Sequence, residues 1–281
     1  MSVGATTFLA IALLIPATSL TVRHSARALR PGEVVVLTVA GASAPVEVRA
    51  FDVTWPVHAA GEHGWRALIG IDLGTRPGRH DVIVTSGGAQ VTHPLDIRAR
   101  SFPTRRLSVD PALVNPPPDA QARIEREAGE LAAIWAASPP DRLWSARFVR
   151  PVPDRANSAF GTHSIFNGEP RSQHGGADFL SPEGRPVAAP NAGRVVIAAD
   201  RYFSGNTVVL DHGQGLFSLL AHLSEIDVEP GDLVPAGAIV GKVGSTGRVT
   251  GAHLHWTVRL NGARVDPLSL MYVLGRPDTG R

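Results

Sequence analysis

Cysteine is absent from this 281-residue chain. That excludes a disulfide framework, a thiolate zinc site, a nucleophilic Cys and a lipid-anchored Cys near the N-terminus. Any metal must therefore be held by His and carboxylates. An H-E-x-x-H helix is also missing, and with it the Glu base of that metalloprotease class. No Lys/Arg-rich run with interleaved aromatics occurs, so nucleic acid is not an expected partner. Beyond the first 22 residues, no segment is apolar and long enough to span a bilayer.

What is present fits two domains, each with its own core. The 29 Gly and 23 Pro point to many turns and few long helices. The formal charge is only +2, but nearly all basic residues are Arg, and the pI of about 9.6 suits an anionic polymer. Residues 1–22 read as a signal peptide or an N-terminal anchor. Phe8 to Ala17 is an apolar run and Ala17-Thr18-Ser19 an acceptable cleavage site, although Met1 to Thr7 carries no Lys or Arg. Export to the periplasm or cell surface is expected, with membrane contact only if the segment stays uncleaved.

Residues 23–100 carry short β-branched runs, Glu33 to Val39, Val46 to Val53, Trp65 to Leu73 and His80 to Thr85, separated by Gly and Pro turns. They predict an immunoglobulin-like β-sandwich accessory domain. Residues 101–142 predict a Pro-rich linker (Phe102 to Pro118) and one helix over Ala120 to Ala137, capped by Asp119. Its Glu125, Glu127 and Glu130 read as a solvated face. From 143 to 275 the pattern returns to strands with Gly at nearly every turn, an all-β domain. The fold class expected is thus mainly β.

Chemistry concentrates between His174 and His255. In His253-Leu254-His255, two histidines at i and i+2 of a strand point the same way, about 6.5–7 Å apart. His174 and Asp178 would lie about 13 Å apart on a straight strand. A bend permitted by Gly175-Gly176 brings the carboxylate back beside the imidazole. Two His and one Asp make a three-ligand zinc site with an open fourth position. His222 and His253 remain as neutral imidazoles able to replace the missing Glu base. His212, in a D-H-G turn, reads as structural, and Tyr202 and Phe203 as residues that border the groove.

From about Phe160 to Leu270 the sequence resembles the lysostaphin-type (LytM-like) zinc metallopeptidases. The matching motifs include F-G-x-x-x-x-F-N-G (160–168), H-G-G-A-D-F (174–179), P-E-G-R-P-V-A-A-P (182–190), A-H-L-S (221–224) and G-S-T-G-x-x-T-G-A-H-L-H (244–255). Val265-Asp266-Pro267 closes the series. The resemblance implies a Zn2+ endopeptidase that cuts peptide cross-links of peptidoglycan through metal-activated water. By residue, it implies His174, Asp178 and His255 as metal ligands and His222 and His253 as catalytic residues, their two roles not assigned between them. A regulatory protein partner is a further expectation of that resemblance. Three departures stand out: Leu220 where the family often has Tyr, Asp266 where Asn is common, and Thr162-His163 where a basic pair is frequent. The rival readings are a degenerate wall-binding protein that activates an amidase, a swinging-arm carrier and a cupin-like oxygenase. The first loses ligands that are all present here, the second lacks its Lys, and the third lacks a downstream Glu and His.

Overall fold

The computed structural model describes residues 19–42, 44–61, 64–108, 115–145, 147–156 and 160–275. The expected leader falls outside them except for its last four residues. Among the described residues no helix is long and apolar enough to cross a membrane.

Eight strands come first: β1 (Thr21–Ala26), β2 (Val34–Ala40), β3 (Glu47–Ala50), β4 (Val53–Trp55), β5 (Val57–Ala59), β6 (Trp65–Gly70), β7 (Gly78–Ser86) and β8 (Ala89–Ile97). They form two four-stranded sheets, ordered β1-β2-β6-β5 and β4-β3-β7-β8. Leu37, Val48, Ile69, Val82, Val84 and Leu95 from both sheets share one core. The Gly87-Gly88 turn joins β7 to β8 with both residues at positive φ, as a two-residue hairpin requires. Two features differ from expectation. Strand β1 is polar and largely exposed, so no apolar alternation announced it. The run Val46 to Val53 is broken by Phe51 and Asp52, which take φ of 53° and 61° and turn β3 into β4 without any glycine.

The expected linker is partly a strand. β9 (Thr104–Leu107) pairs in parallel with β10 (His163–Phe166), and β11 (Glu169–Pro170) flanks β10 on its other side. Helix α1 (Pro118–Ala136) begins before Asp119, which is therefore not its cap. Pro118 sits in the first turn, where a fixed φ is favourable and a missing N–H costs nothing; Asp119 lies in the positive first turn. Leu131, Ile134 and Trp135 of α1 rest on Ile197, Val209, Phe217, Leu219 and Ala221.

The remaining strands are β12 (Gly176–Phe179), β13 (Pro186–Ala188), β14 (Gly193–Arg201), β15 (Gly205–Asp211), β16 (Leu216–Ile226), β17 (Leu233–Val234), β18 (Ile239–Val243), β19 (Leu254–Leu260) and β20 (Ala263–Val265). They form one antiparallel sheet with the path β12-β19-β16-β15-β14-β17, while β18 pairs with β13 and β16 and β20 pairs with β19. Along β19, Leu254, Trp256, Val258 and Leu260 are buried, which turns His253, His255 and Thr257 to the opposite face.

Helix α2 (Pro267–Leu274), the last of the described elements, packs against β2, whose Val34 to Leu37 are buried on both faces. Asp266 caps α2 by accepting the Leu268 N–H at 3.0 Å. Its other oxygen takes Arg27 Nη2 at 2.7 Å, and Arg27 also binds the fully buried Glu33. Arg100 lies 3.7 Å from Glu33 and 3.8 Å from Asp266, and Ser269 donates to Glu33 at 2.8 Å. Asp at position 266, where the resembled family often has Asn, thus supplies a charge to the joint between the two halves.

Candidate metal centre

Strands β12 and β19 place Asp178 directly opposite His255. His174 lies outside β12 and is fixed through its backbone. Its N–H donates to Thr162 O at 2.9 Å, and its carbonyl accepts Gly161 N–H at 2.7 Å. His174 Nε2 stands 3.0 Å from Asp178 Oδ1, His255 Nδ1 stands 2.9 Å from the same oxygen, and the two ring nitrogens are 3.0 Å apart. Neighbouring ligands of a tetrahedral ion at about 2.0–2.1 Å lie about 3.3 Å apart, so this near-equilateral triangle is of the right size to hold a metal. Among the described residues these three are the group whose donor atoms all fall within 4.8 Å of one another.

The bend before Asp178 is present, but the reason for its glycines differs from the expected one. Neither Gly175 nor Gly176 takes a positive φ. Gly176 is needed for room: a Cβ there would stand 2.5 Å from Trp256 O and 2.7 Å from His255 Cε1.

Burial alone would raise the Asp178 carboxyl, but hydrogen bonds and charge from His174 and His255 outweigh it and hold the group well below the usual carboxylate range. The His255 ring is pushed down, first by burial and then by the charge of His174, with Asp178 opposing. Its far nitrogen, Nε2, meets Thr257 Oγ1 at 2.8 Å. Thr257 escaped the sequence reading, although H-x-H-x-T places all three on one strand face.

His222 sits in β16 with φ of 66°, an uncommon conformation for a residue with a Cβ. The register explains it. Asn206 pairs with Leu223 and Val208 with Leu220, so Thr207 alone faces Ala221 and His222 across a β-bulge. The freed His222 N–H donates to Ser204 O at 2.9 Å, and its Nδ1–H to Thr246 O at 2.9 Å. His253 makes the equivalent bond from Nδ1–H to Gly251 O at 2.9 Å. With Nδ1 donating, Nε2 is the nitrogen of each ring left to accept a proton. The two rings are 4.9 Å apart between centroids, and His253 Nε2 is 3.9 Å from Asp178 Oδ1. Burial, followed by the charges of His255 and His253, pushes His222 down to about 3, so it is a neutral imidazole at ordinary pH.

All five expected residues thus converge on one site. His212 does not: it is fully buried between Ala192 O at 2.8 Å and Ser218 Oγ at 2.9 Å, and burial pushes it down to about 4. Ser218 also accepts Trp256 Nε1–H at 3.0 Å, which braces the strand carrying His255. Leu220 is fully buried, so that position belongs to the core. The expected solvated face of α1 needs correction. Glu127 accepts Tyr202 N–H at 2.9 Å and Arg123 Nε at 2.6 Å, and Glu130 takes Arg201 at 2.7 Å. These carboxylates clamp the turn holding Tyr202 and Phe203, because basic side chains and backbone donors of that turn reach them. Glu125 alone among the three meets only its own helix, at Gln121.

Residues 172–267 match the model of Peptidase family M23. The chain is 41% identical over 97 residues to DD-carboxypeptidase/endopeptidase Mpg of Neisseria meningitidis, which covers 34% of this chain and 22% of Mpg. It is 40% identical over 95 residues to peptidoglycan DD-endopeptidase ShyA of Vibrio cholerae, covering 34% of this chain and 22% of ShyA. A solved structure from Pseudomonas aeruginosa, titled a peptidase M23, is 32% identical with a TM-score of 0.70 and spans 88% of this chain and 96% of its own. The match thus spans about a fifth of the length of these curated relatives and nearly all of the solved one.

Proposed function

The chain belongs to peptidase family M23, and on that premise we propose that it is a zinc-dependent endopeptidase hydrolysing peptide cross-links of bacterial peptidoglycan. The observation that carries this is the triangle of His174, Asp178 and His255 with His222 and His253 beside it. The similarity to ShyA, a peptidoglycan DD-endopeptidase, supports the substrate class. His174, Asp178 and His255 would hold the ion, since two imidazoles and a carboxylate are a zinc donor set and three protein ligands leave a position open. Zinc, when bound, acidifies water and polarises a peptide carbonyl.

The chain's own residues supply the proton chemistry. One of His222 and His253 removes a proton from the attacking water through Nε2. The other faces the carbonyl oxygen, where negative charge develops. The Nδ1–H bonds to Thr246 O and Gly251 O hold both rings in the tautomer this requires. Thr257 orients His255 from Nε2, which leaves Nδ1 to face the ion beside Asp178.

The same reading assigns residues 1–22 to export, 23–100 to an accessory domain, 101–142 to a connecting segment and 143–275 to the peptidase, acting in the periplasm or at the cell surface. The test is muropeptide analysis of purified sacculi treated with wild type, His174→Ala and chelator-treated protein. Cross-linked dimers should disappear only with the untreated wild type. Dimers that survive the wild type would sink the endopeptidase reading, and unchanged cleavage by His174→Ala would sink the metal assignment.

A further inference from the structure

The loop after β18 does two jobs. Its Thr246 carbonyl fixes His222, and two residues on, Arg248 leaves the loop to stack on aromatic rings. The Arg248 guanidinium carbon lies 4.3 Å from the centroid of Phe203 and 5.3 Å from that of Phe166. These rings belong to different walls. Phe203 stands beside Ser204, whose carbonyl takes the His222 N–H, and Phe203 O itself accepts the Arg248 N–H at 2.8 Å. Phe166 ends β10, whose preceding backbone at Thr162 anchors His174. Arg248 therefore spans from the wall bearing the candidate catalytic His222 to the wall bearing the candidate metal ligand His174.

Two physical facts give this position a chemical preference. A guanidinium held over aromatic faces is ordered in advance, and its N–H groups lie in the plane of a rigid fork that matches a carboxylate. Arg248 also has a second cation near it. Arg171, on the segment following β11, is tied to that wall by its N–H to Ser164 O at 2.8 Å and by Glu169 at 2.6 Å. Burial lowers the Arg248 pKa, and the like charge of Arg171 lowers it further. Glu169 offsets the Arg171 charge, so the cation that an entering anion would meet beside the site is chiefly Arg248.

We propose that Arg248, seated on Phe166 and Phe203 and seconded by Arg171, is a specificity-determining residue that reads a free carboxylate on the substrate peptide. The inference rests on the peptidase reading, and the ligand class is a peptide carrying a carboxylate beside the bond to be cut. Wall stem peptides contain several such carboxylates, and amidation neutralises them without changing the backbone. The planar fork, more than the charge alone, makes the selection.

The experiment is equilibrium binding, by calorimetry with full chains that also carry His222→Ala so that the peptides are not consumed, of two purified stem-peptide dimers identical except that one has its carboxylates amidated. Cleavage of both by chains with His222 intact is followed in parallel. With Arg248 intact, the free-acid peptide should bind about tenfold more tightly, the size of one charge-assisted hydrogen-bond pair. In Arg248→Gln that ratio should collapse towards one, in Arg248→Lys it should fall by about threefold, and in Arg171→Gln it should weaken less than in Arg248→Gln. The amidated peptide reports any loss of fold in the same samples. A ratio near one with Arg248 intact, or a ratio unmoved in Arg248→Gln, overturns the proposal. Equal weakening of both peptides in Arg248→Gln also overturns it, because Arg248 would then only brace the walls. Discrimination without cleavage would instead strike the peptidase reading and leave this one standing.

Discussion

The joint between the two halves and the groove are both built on buried carboxylates, and they treat them in opposite ways. At the joint, Glu33 and Asp266 are matched by Arg27 and Arg100, cations that keep their charge at any ordinary pH. In the groove, Asp178 is matched by His174 and His255, which lose charge readily and can pass the carboxylate to a metal. The histidines divide along the same line. In the N-terminal half His80 bonds Arg76 O, His24 bonds His93, and His58 is packed edge-on to Trp144. Among the described residues, none of them meets a carboxylate or another candidate ligand group in a three-donor cluster. In the C-terminal half four histidines meet at one place. Permanent counter-charge marks a structural joint, and exchangeable counter-charge marks chemistry.

Three experiments press on that contrast. The largest effect is expected on activity. His222→Ala should lower kcat by about 10²- to 10⁴-fold, the range for losing a positioned acid or base, while bound zinc measured by atomic emission stays at one per chain. Loss of zinc in that variant would mean His222 is a ligand and the division of roles is wrong. Next comes the joint. Glu33→Gln should leave its arginines without their buried partner and cost about 3–5 kcal/mol in denaturant unfolding, the cost of breaking a buried ion pair. Cleavage per folded molecule should be unchanged, and a loss of activity without a loss of stability would blur the distinction.

The smallest effect is a pH dependence. His212 is neutral and fully buried when folded and is held at about 4, against about 6.5 in an unfolded chain. The unfolded state therefore binds the extra proton, and stability should fall as pH drops from about 6.5 towards 4, by up to about 3 kcal/mol. A variant such as His212→Asn should flatten that limb of the stability curve. An unchanged slope would place the acid sensitivity elsewhere.

The parts of the site legible in the sequence are those carried by short-range geometry. H-x-H on a strand forces a shared face, and β19 obeys that rule to Thr257. The bend from His174 to Asp178 was legible as well, although its glycines turned out to serve close packing under His255 and Trp256. The bulge at His222 was not legible, because it depends on β15 and β16 being one residue out of step. Strand β9 read as a linker because its Thr-Arg-Arg-Leu has no pattern of its own, and only β10 gives its backbone a partner. Glu127 and Glu130 read as solvated because Arg201 and Tyr202 lie some seventy residues away.

Composition, motif spacing and period-two alternation determined by themselves that the chain is mainly β, that any metal must be held without sulfur, and which five side chains are candidates. These follow from residue type and from the fixed geometry of a strand. Tertiary structure alone decided that His222 turns inward, that Asp266 and Glu33 lock the halves together, and that Arg248 stacks on both Phe166 and Phe203. Each of those depends on which distant segments meet, and therefore on burial and long-range pairing, which local sequence does not encode.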